Sequence, residues 1–338
     1  MEFPINIYLL SLVSAALVSA LSLPLWRAWC RRTNHVDDPG HRKIHVEPIP
    51  LAGGLAVATG LFVPVLLGCI LLFGGAWADS LANSLGMNSD SLEALRYGIE
   101  KRAVQLGAIL FGALGMLVLG WWDDRHEMKA APKFLGQLAI ASLVAAVGVR
   151  VTLFVPYPIF GFVVTVLWIL TLINALNFMD NMNGLCGGLG LIGCWFLGMS
   201  AAIHGQYLVA ALAALSTGAL LGFLPYNFPK ASVFLGDAGS HLVGFLLAVL
   251  AILPSFHTPE HPNTLAVLVP LVILAVPLGD LVCVVIIRYR LGKPFWIGDN
   301  NHLSHRLVRR GLSKPTAVLV IWLLAGLVGI AGLAMLQS

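Results

Sequence analysis

Charge is what this 338-residue sequence lacks. Asp, Glu, Lys and Arg make up 11% of it, against 58% hydrophobic residues, where a soluble domain carries about 25% charged residues. Too little charge remains to cover a water-facing surface of this size. A soluble enzyme is thereby excluded, and disorder, collagen and coiled coil are excluded with it. Cysteine is sparse and scattered: Cys30, Cys69, Cys186, Cys194 and Cys283 form no C-x-x-C pair. That excludes a disulfide framework and predicts reduced, buried thiols. No internal repeat and no sizeable water-soluble segment is evident.

What the sequence has instead is long uncharged runs, at 3–26, 48–78, 103–122, 134–149, 151–179, 181–229, 238–259, 261–279 and 315–338. A spanning helix needs about 20 apolar residues, and the run 181–229 holds two, separated at His204-Gly205-Gln206. The fold class predicted is therefore all-α: a polytopic integral membrane protein, one membrane domain over residues 1–338, with about ten transmembrane helices. The first run lacks a basic segment before it and is followed by Arg27, so it reads as an uncleaved anchor with its N-terminus outside. Ten spans from that start leave both termini outside. They put sixteen of the twenty Lys and Arg residues on one side, which the positive-inside rule makes cytoplasmic. The cytoplasmic loops are then about 27–49, 123–132, 179–183, 226–238 and 288–314, and the longest outer loop is about 75–101.

Those loops carry the polar residues. Arg42, Lys43 and His45 could hold a phosphate or be a basic stop after the first span. Asp123 and Asp124 end a helix, where they repel each other and face the negative end of its dipole. A divalent cation or cationic substrate group would relieve both effects, and so would pairing with Arg125 or Lys129. Asn174, Asn177 and Asp180 recur every three residues on one helix face, followed by Asn183 and Gly184. Asp237 lies in Gly236-Asp237-Ala238-Gly239 at the start of a helix, as an N-cap or as part of a phosphate site. His302, His305 and Arg306 follow Asp299; two His and an Asp give a weak zinc pattern, and donation to phosphate fits as well. Asp280 is an intramembrane carboxylate that either supports the site or caps a neighbouring helix. Carboxylates of this kind suit Mg²⁺, which takes one or two of them together with substrate phosphates. With the basic groups they make the equipment of phosphoryl transfer, in a cytoplasm-facing cleft between a lipid and a soluble substrate. A transporter, the rival reading, would place its charges nearer the bilayer midplane.

Arg42-Lys43-Ile44-His45 with Pro50 and Gly53-Gly54, Asp123-Asp124, Asn174-x-x-Asn177-x-x-Asp180, Gly236-Asp237-x-Gly239 and Asp299-x-x-His302-x-x-His305-Arg306-Leu307 together resemble the bacterial polyprenyl-phosphate N-acetylhexosamine-1-phosphate transferases. The resemblance covers about residues 37–311. It is closer to the undecaprenyl-phosphate N-acetylglucosaminyl-1-phosphate transferases than to phospho-N-acetylmuramoyl-pentapeptide transferase. It implies an enzyme of the bacterial inner membrane that moves a sugar-1-phosphate from a UDP-N-acetylhexosamine, typically UDP-GlcNAc, to undecaprenyl phosphate. The products would be a lipid-linked sugar pyrophosphate and UMP, the first step of a cell-envelope glycan. It further implies Mg²⁺, with Mn²⁺ as a substitute, a homodimer through lipid-facing helices, and no nucleic-acid partner. Its pattern gives Asp123, Asp124, Asp237 and His302 catalytic roles and puts Asp180 and Asp237 on the metal. It leaves Arg42, Lys43, His45, Asn174, Asn177, Asn183, His305 and Arg306 to bind substrates. This chain departs from the common pattern at Asn183, where an Asp is frequent, at Ser304, where a His is frequent, and at Leu51, where an Arg is frequent.

Overall fold

The computed structural model describes residues 5–38, 47–87, 89–151, 155, 157–254, 264–294 and 300–336. Arg42, Lys43, His45 and Asp299 lie outside the described residues. The described chain is an all-α membrane protein whose helices are, in order, α1 (Ile5–Arg32), α2 (Gly53–Phe73), α3 (Ala76–Ser84), α4 (Ser89–His126), α5 (Ala130–Ala146), α6 (Pro158–Met179), α7 (Leu185–Ile203), α8 (Tyr207–Asn227), α9 (Gly236–Ile252), α10 (Val269–Ile273), α11 (Ala275–Arg290), α12 (Leu303–Arg309) and α13 (Lys314–Ala334). A 3-10 turn, Thr264–Leu268, leads into α10.

The uncharged runs become these helices because only a helix satisfies every backbone amide within one segment when no water is at hand. Seven of them, α1, α2, α4 from Leu92, α6, α7, α8 and α13, are long and apolar enough to cross a membrane, and the α10–α11 pair adds an eighth if it is one span. The apolar helices α5 and α9 have 17 residues each, about 26 Å at 1.5 Å per residue. Against the ten spans expected, the described residues thus give seven or eight, with α5 and α9 shorter than a full crossing. The bend is 72°. Its cause is in the sequence: Pro277 has no N–H to offer the Ile273 carbonyl and its ring crowds it, so the helix breaks at Leu274.

Residues 75–101, expected to be an outer loop, hold α3 and the first turns of α4. They close over the bundle end with a small core of Ile7, Leu72, Ala82, Met87, Leu92 and Leu95. Arg96 pins it, pairing with Asp79 and donating to the Leu72 carbonyl.

Helix α9 is the centre of the bundle. It packs against α2, α4, α6 and α7, and every residue from Ala238 to Ala251 is buried, as expected of a helix apolar on all sides. At the opposite extreme, α1 leaves Leu9, Leu17, Leu21 and Leu25 exposed and α13 leaves Leu319, Leu323, Leu327 and Ile330 exposed, a lipid-facing surface. At the end of the bundle away from α3, the chain between α1 and α2 forms a two-stranded antiparallel ribbon, β1 (Val36–Asp37) with β2 (Ile49–Pro50). Backbone bonds tie this ribbon and the start of α2 to the segment before α9: Phe234 N to Pro50 O at 2.9 Å, Gly53 N to Phe234 O at 2.9 Å and Gly54 N to Leu235 O at 3.0 Å.

At Gly120 the backbones of α4 and α9 come close: a Cβ there would stand 2.3 Å from the Asp237 carbonyl oxygen. That atom is backbone and cannot swing away. Gly120→Ala is expected to cost about 1–3 kcal/mol of overpacking and to lower the unfolding temperature in detergent. Gly107→Ala on the same helix meets nothing within 4 Å and is expected to leave that temperature unchanged or raise it. Thermal unfolding of the two variants side by side checks the helix contact.

Candidate active site at one end of the helix bundle

Helix α4 ends at the same place where α9 begins, and the junction is electrostatic. Asp124 accepts from the first two side-chain-facing amides of α9, Asp237 N at 2.7 Å and Ala238 N at 3.0 Å. The N-terminus of a helix leaves such amides unpartnered and carries a partial positive charge, so a carboxylate there is stabilised. Gly236 makes room: its φ is +71°, and a Cβ would fall 2.7 Å from Asp124 Oδ2. Asp237 is thus not the cap of its own helix, as the sequence allowed. It sits in the first turn, and Asp124 from α4 does the capping.

That leaves the Asp237 carboxylate free to face outward, where it meets the residue that neutralises it. Lys133 Nζ lies 2.6 Å from Asp237 Oδ2 and 2.6 Å from Asp123 Oδ2, bridging α4 and α9 from the first turn of α5. Asp123 also accepts from Met128 N at 2.7 Å. Of the Asp123-Asp124 pair, Asp123 is therefore met by Lys133 and Asp124 by the amides of α9, rather than by Arg125 or Lys129. Asn177 of α6 donates to Asp237 Oδ1 at 2.6 Å and to Ser240 Oγ at 2.9 Å. Asn174, one turn earlier, turns to Gln137 of α5 at 2.9 Å.

Next to this cluster opens a cleft of about 590 Å³, bordered by Asp180, Asn183, Phe228, Lys230, Phe234 and Lys314 among others. Asp180 closes the C-terminus of α6. Among the described residues no hydrogen bond or ion pair engages its carboxyl. Burial, and then the negative Asp237, push it up from the ordinary 3.8 to about 8. Asn183 donates to Pro229 O at 3.3 Å, and Asn227 fixes the turn beside it by accepting from Gly184 N at 2.6 Å.

Helix α12 stands beside the turn that carries Asp180. Asp280 of α11 accepts from Leu303 N at 2.6 Å and pairs with His302 Nδ1 at 2.6 Å. Of the two roles the sequence left open for Asp280, it performs both, holding a site histidine and anchoring the start of α12. Ser304 donates to Asn181 at 2.7 Å, so α12 is also tied to the turn carrying Asp180. His305 and Arg306 follow on α12, half-buried. Burial, with His302, Arg309 and Lys314 nearby, lowers the His305 value below that of an ordinary histidine. Arg288 is buried beneath, its guanidinium 5.0 Å from the Phe178 ring centre; Phe178 in turn meets His302 edge-on.

The structure therefore gathers Asp123, Asp124, Asn177, Asp180 and Asp237, with His302 and His305 on α12 beside the Asp180 turn. It places Asn174 one turn deeper. Sequence reasoning counted Lys133 and Arg288 only among many loop cations and passed over Gln137 and Asn227. A Lys four residues before a Gln, just after the Asp-Asp pair, was the available signal for Lys133 and Gln137. No three His, Cys, Asp or Glu side chains among the described residues form a ready-made metal cluster.

The family model described as glycosyl transferase family 4 matches residues 106–255, from the middle of α4 past the end of α9. The chain is 30% identical to a probable undecaprenyl-phosphate N-acetylglucosaminyl 1-phosphate transferase of Bacillus subtilis, over 97% of this chain and 86% of that protein. It is 31% identical to the decaprenyl-phosphate N-acetylglucosaminephosphotransferase of Mycobacterium tuberculosis, over 94% and 79%. It is 28% identical to the undecaprenyl-phosphate alpha-N-acetylglucosaminyl 1-phosphate transferase of Escherichia coli, over 95% and 82%. With relatives of this identity matched over most of both lengths, the chain belongs to glycosyl transferase family 4, among the polyprenyl-phosphate N-acetylglucosaminyl-1-phosphate transferases.

Proposed function

We propose that the chain transfers N-acetylglucosamine-1-phosphate from UDP-GlcNAc to undecaprenyl phosphate, with Mg²⁺ as cofactor, at the cytoplasmic face of a bacterial inner membrane, and so starts a cell-envelope glycan. The observation that carries this is the Lys133-bridged pair Asp123 and Asp237 beside an open cleft holding the unengaged carboxyl of Asp180. The names of the relatives supply the polyprenyl phosphate and the N-acetylglucosaminyl phosphate. All of this chemistry sits at one end of the bundle, on the side carrying most of the Lys and Arg, which favours a cytoplasmic site and disfavours a midplane transporter site.

The residues fit Mg²⁺. It takes one or two carboxylates and completes its shell with water and phosphate oxygens, and Asp180 and Asp237 offer two without a closed cage. When bound, the ion would neutralise the diphosphate and stabilise the charge that develops on the leaving UMP. In the reaction, an oxygen of the lipid phosphate forms a bond to the sugar-bearing phosphorus of UDP-GlcNAc. The bond from that phosphorus to the bridging oxygen breaks, and UMP leaves with the electron pair. Asp123 and Lys133 lie where α4 meets the membrane edge at Trp121 and Trp122, so they would receive the lipid phosphate, the ammonium offsetting its charge. Asp124 has both oxygens on backbone amides and acts by aiming α9. His302, His305 and Arg306 would hold phosphate oxygens from α12, beside the Asp180 turn. His302 has Nδ1 occupied by Asp280, which leaves Nε2 for that contact. Asn183, Phe228 and Phe234 border the part of the cleft where the nucleotide would sit.

The experiment is UMP release by the purified protein in nanodiscs with undecaprenyl phosphate, Mg²⁺ and a panel of UDP-sugars, with and without EDTA. Metal-dependent UMP from UDP-GlcNAc is the expected result; none from any donor, with folded protein, rejects the proposal. Asp123→Asn, Asp237→Asn and Lys133→Met are each expected to lower turnover at least about a hundred-fold while the protein stays folded. Asp280→Asn is expected to cost about ten-fold, since it acts through His302.

A second prediction concerns pH. Proton and cation compete for Asp180, so apparent Mg²⁺ affinity should rise as pH increases toward about 8 and level off above it. In metal-free protein the same carboxyl has a folded value above its unfolded one. Its contribution is then fully present below about 4 and is lost as pH rises through about 8. Asp180→Asn should remove that slope and raise the unfolding temperature at pH 8 while lowering activity. Mg²⁺ titrations and melting curves at pH 6.5 and 8.5 check both signs.

A further inference from the structure

One helical turn beneath the contacts of Lys133, Asn177 and Asp237, the same three helices meet a second time. Gln137 follows Lys133 by four residues on α5, His241 follows Asp237 by four on α9, and Asn174 precedes Asn177 by three on α6. These spacings stack each residue on the same face as its neighbour above. Gln137 and His241 are completely buried. Asn174 donates to the Leu170 carbonyl at 2.8 Å and to Gln137 Oε1 at 2.9 Å, and Gln137 Nε2 lies 3.3 Å from His241 Nε2.

The direction of this chain is fixed from one end. A backbone carbonyl can only accept, so the Asn174 atom facing Leu170 is the amide nitrogen. Its second hydrogen needs an acceptor, which makes the facing Gln137 atom the oxygen. Gln137 therefore presents its NH₂ group to His241, whose Nε2 has to offer a lone pair. The ring is then neutral and carries its hydrogen on Nδ1, a buried atom with no partner among the described residues.

Three apolar side chains would fill this space and hold the helices together without the desolvation that polar groups bring. What directional bonds add is register. Lys133 reaches Asp123 and Asp237 at 2.6 Å each, and sliding α9 by about 1 Å against α5 would open one of the two contacts.

We infer that Gln137, Asn174 and His241 form a positioning layer for the transfer reaction, holding α5, α6 and α9 in the register at which Lys133 bridges the two carboxylates. This rests on the transferase function proposed above. In it His241 touches no substrate and acts through Asp237 and Lys133.

The test uses the full chain in nanodiscs with UDP-GlcNAc, undecaprenyl phosphate and Mg²⁺. His241→Leu is expected to lower kcat about ten- to a hundred-fold while KM for UDP-GlcNAc stays within about two-fold of wild type. His241→Gln, which can place an amide oxygen near the Nε2 position, should recover most of that loss. The triple variant Gln137→Leu/Asn174→Leu/His241→Leu leaves no polar group of the layer stranded and should regain the unfolding temperature but not kcat; it keeps the test open should His241→Leu alone fail to fold. A wild-type kcat in His241→Leu, an equal loss in the Leu and Gln variants, or a triple variant that regains kcat along with stability would each overturn the proposal. A readout independent of catalysis is the ¹⁵N spectrum of histidine-labelled protein. The ring signal missing from His241→Gln should be that of a neutral ring with hydrogen on Nδ1, and it should shift in Gln137→Leu. A ring with hydrogen on Nε2, or a cationic one, overturns the layer. Absence of UMP release by the wild type would instead reject the transferase reading, with the ring signal still deciding whether the bonded layer exists.

Discussion

The contact between the Asp124 carboxylate and the first amides of α9 organises this molecule. Asp123 and Asp124 close a helix whose own dipole opposes them, and Asp237 adds a third carboxylate within the same few ångströms. Such a group flies apart unless its charge is met. The two amide bonds to Asp124 are charge-assisted, each of a kind that contributes about 1.5–3 kcal/mol, and Lys133 meets the other two carboxylates at once. Gly120 and Gly236 allow the backbones to come close enough for the clamp to form. Remove the clamp and the central helix of the bundle loses its anchor at the end where the chemistry lies.

Everything else at that end follows from antiparallel packing. Helices that alternate in direction bring the end of α4, the start of α5, the end of α6 and the start of α9 to one level. Residues distant in sequence then become neighbours: Lys133 and Asp237 are 104 positions apart, Asn177 and Asp237 are 60 apart. Helix α12 is joined to this assembly through two separate ties, Asp280 to His302 and Asn181 to Ser304. The second uses a serine where a histidine is common in the pattern the sequence resembles, and here the hydroxyl serves to attach α12 to the turn carrying Asp180.

Much of this was legible in the sequence, for a physical reason. Hydrophobic runs dictate membrane helices directly, and carboxylates at their ends are conspicuous because so few charges exist. The site carboxylates Asp123, Asp124, Asp180 and Asp237 could therefore be picked out one by one. What could not be read was the division of labour among them. Whether Asp237 caps its own helix or is released by a cap from elsewhere depends on a tertiary contact with Asp124. Lys133 looked like any other positive-inside residue until α5 was packed on α4 and α9. The break at Leu274 was signalled by Pro277 and yet missed, because the apolar run continues through it. Residues 75–101 read as a loop because their helices are short and mildly polar, and only the Arg96–Asp79 pair and the small core beneath reveal their order.

Asp180 carries one more implication. In the Mg²⁺ site proposed above, a carboxyl that gives up its proton as the divalent cation arrives would change the local charge by one, where an ionised carboxylate would change it by two. The helix ends crowded around it would then meet half the change in field on loading. On that reading a cleft assembled from so many opposed charges would accept a cation with less strain on the clamp that holds its central helix.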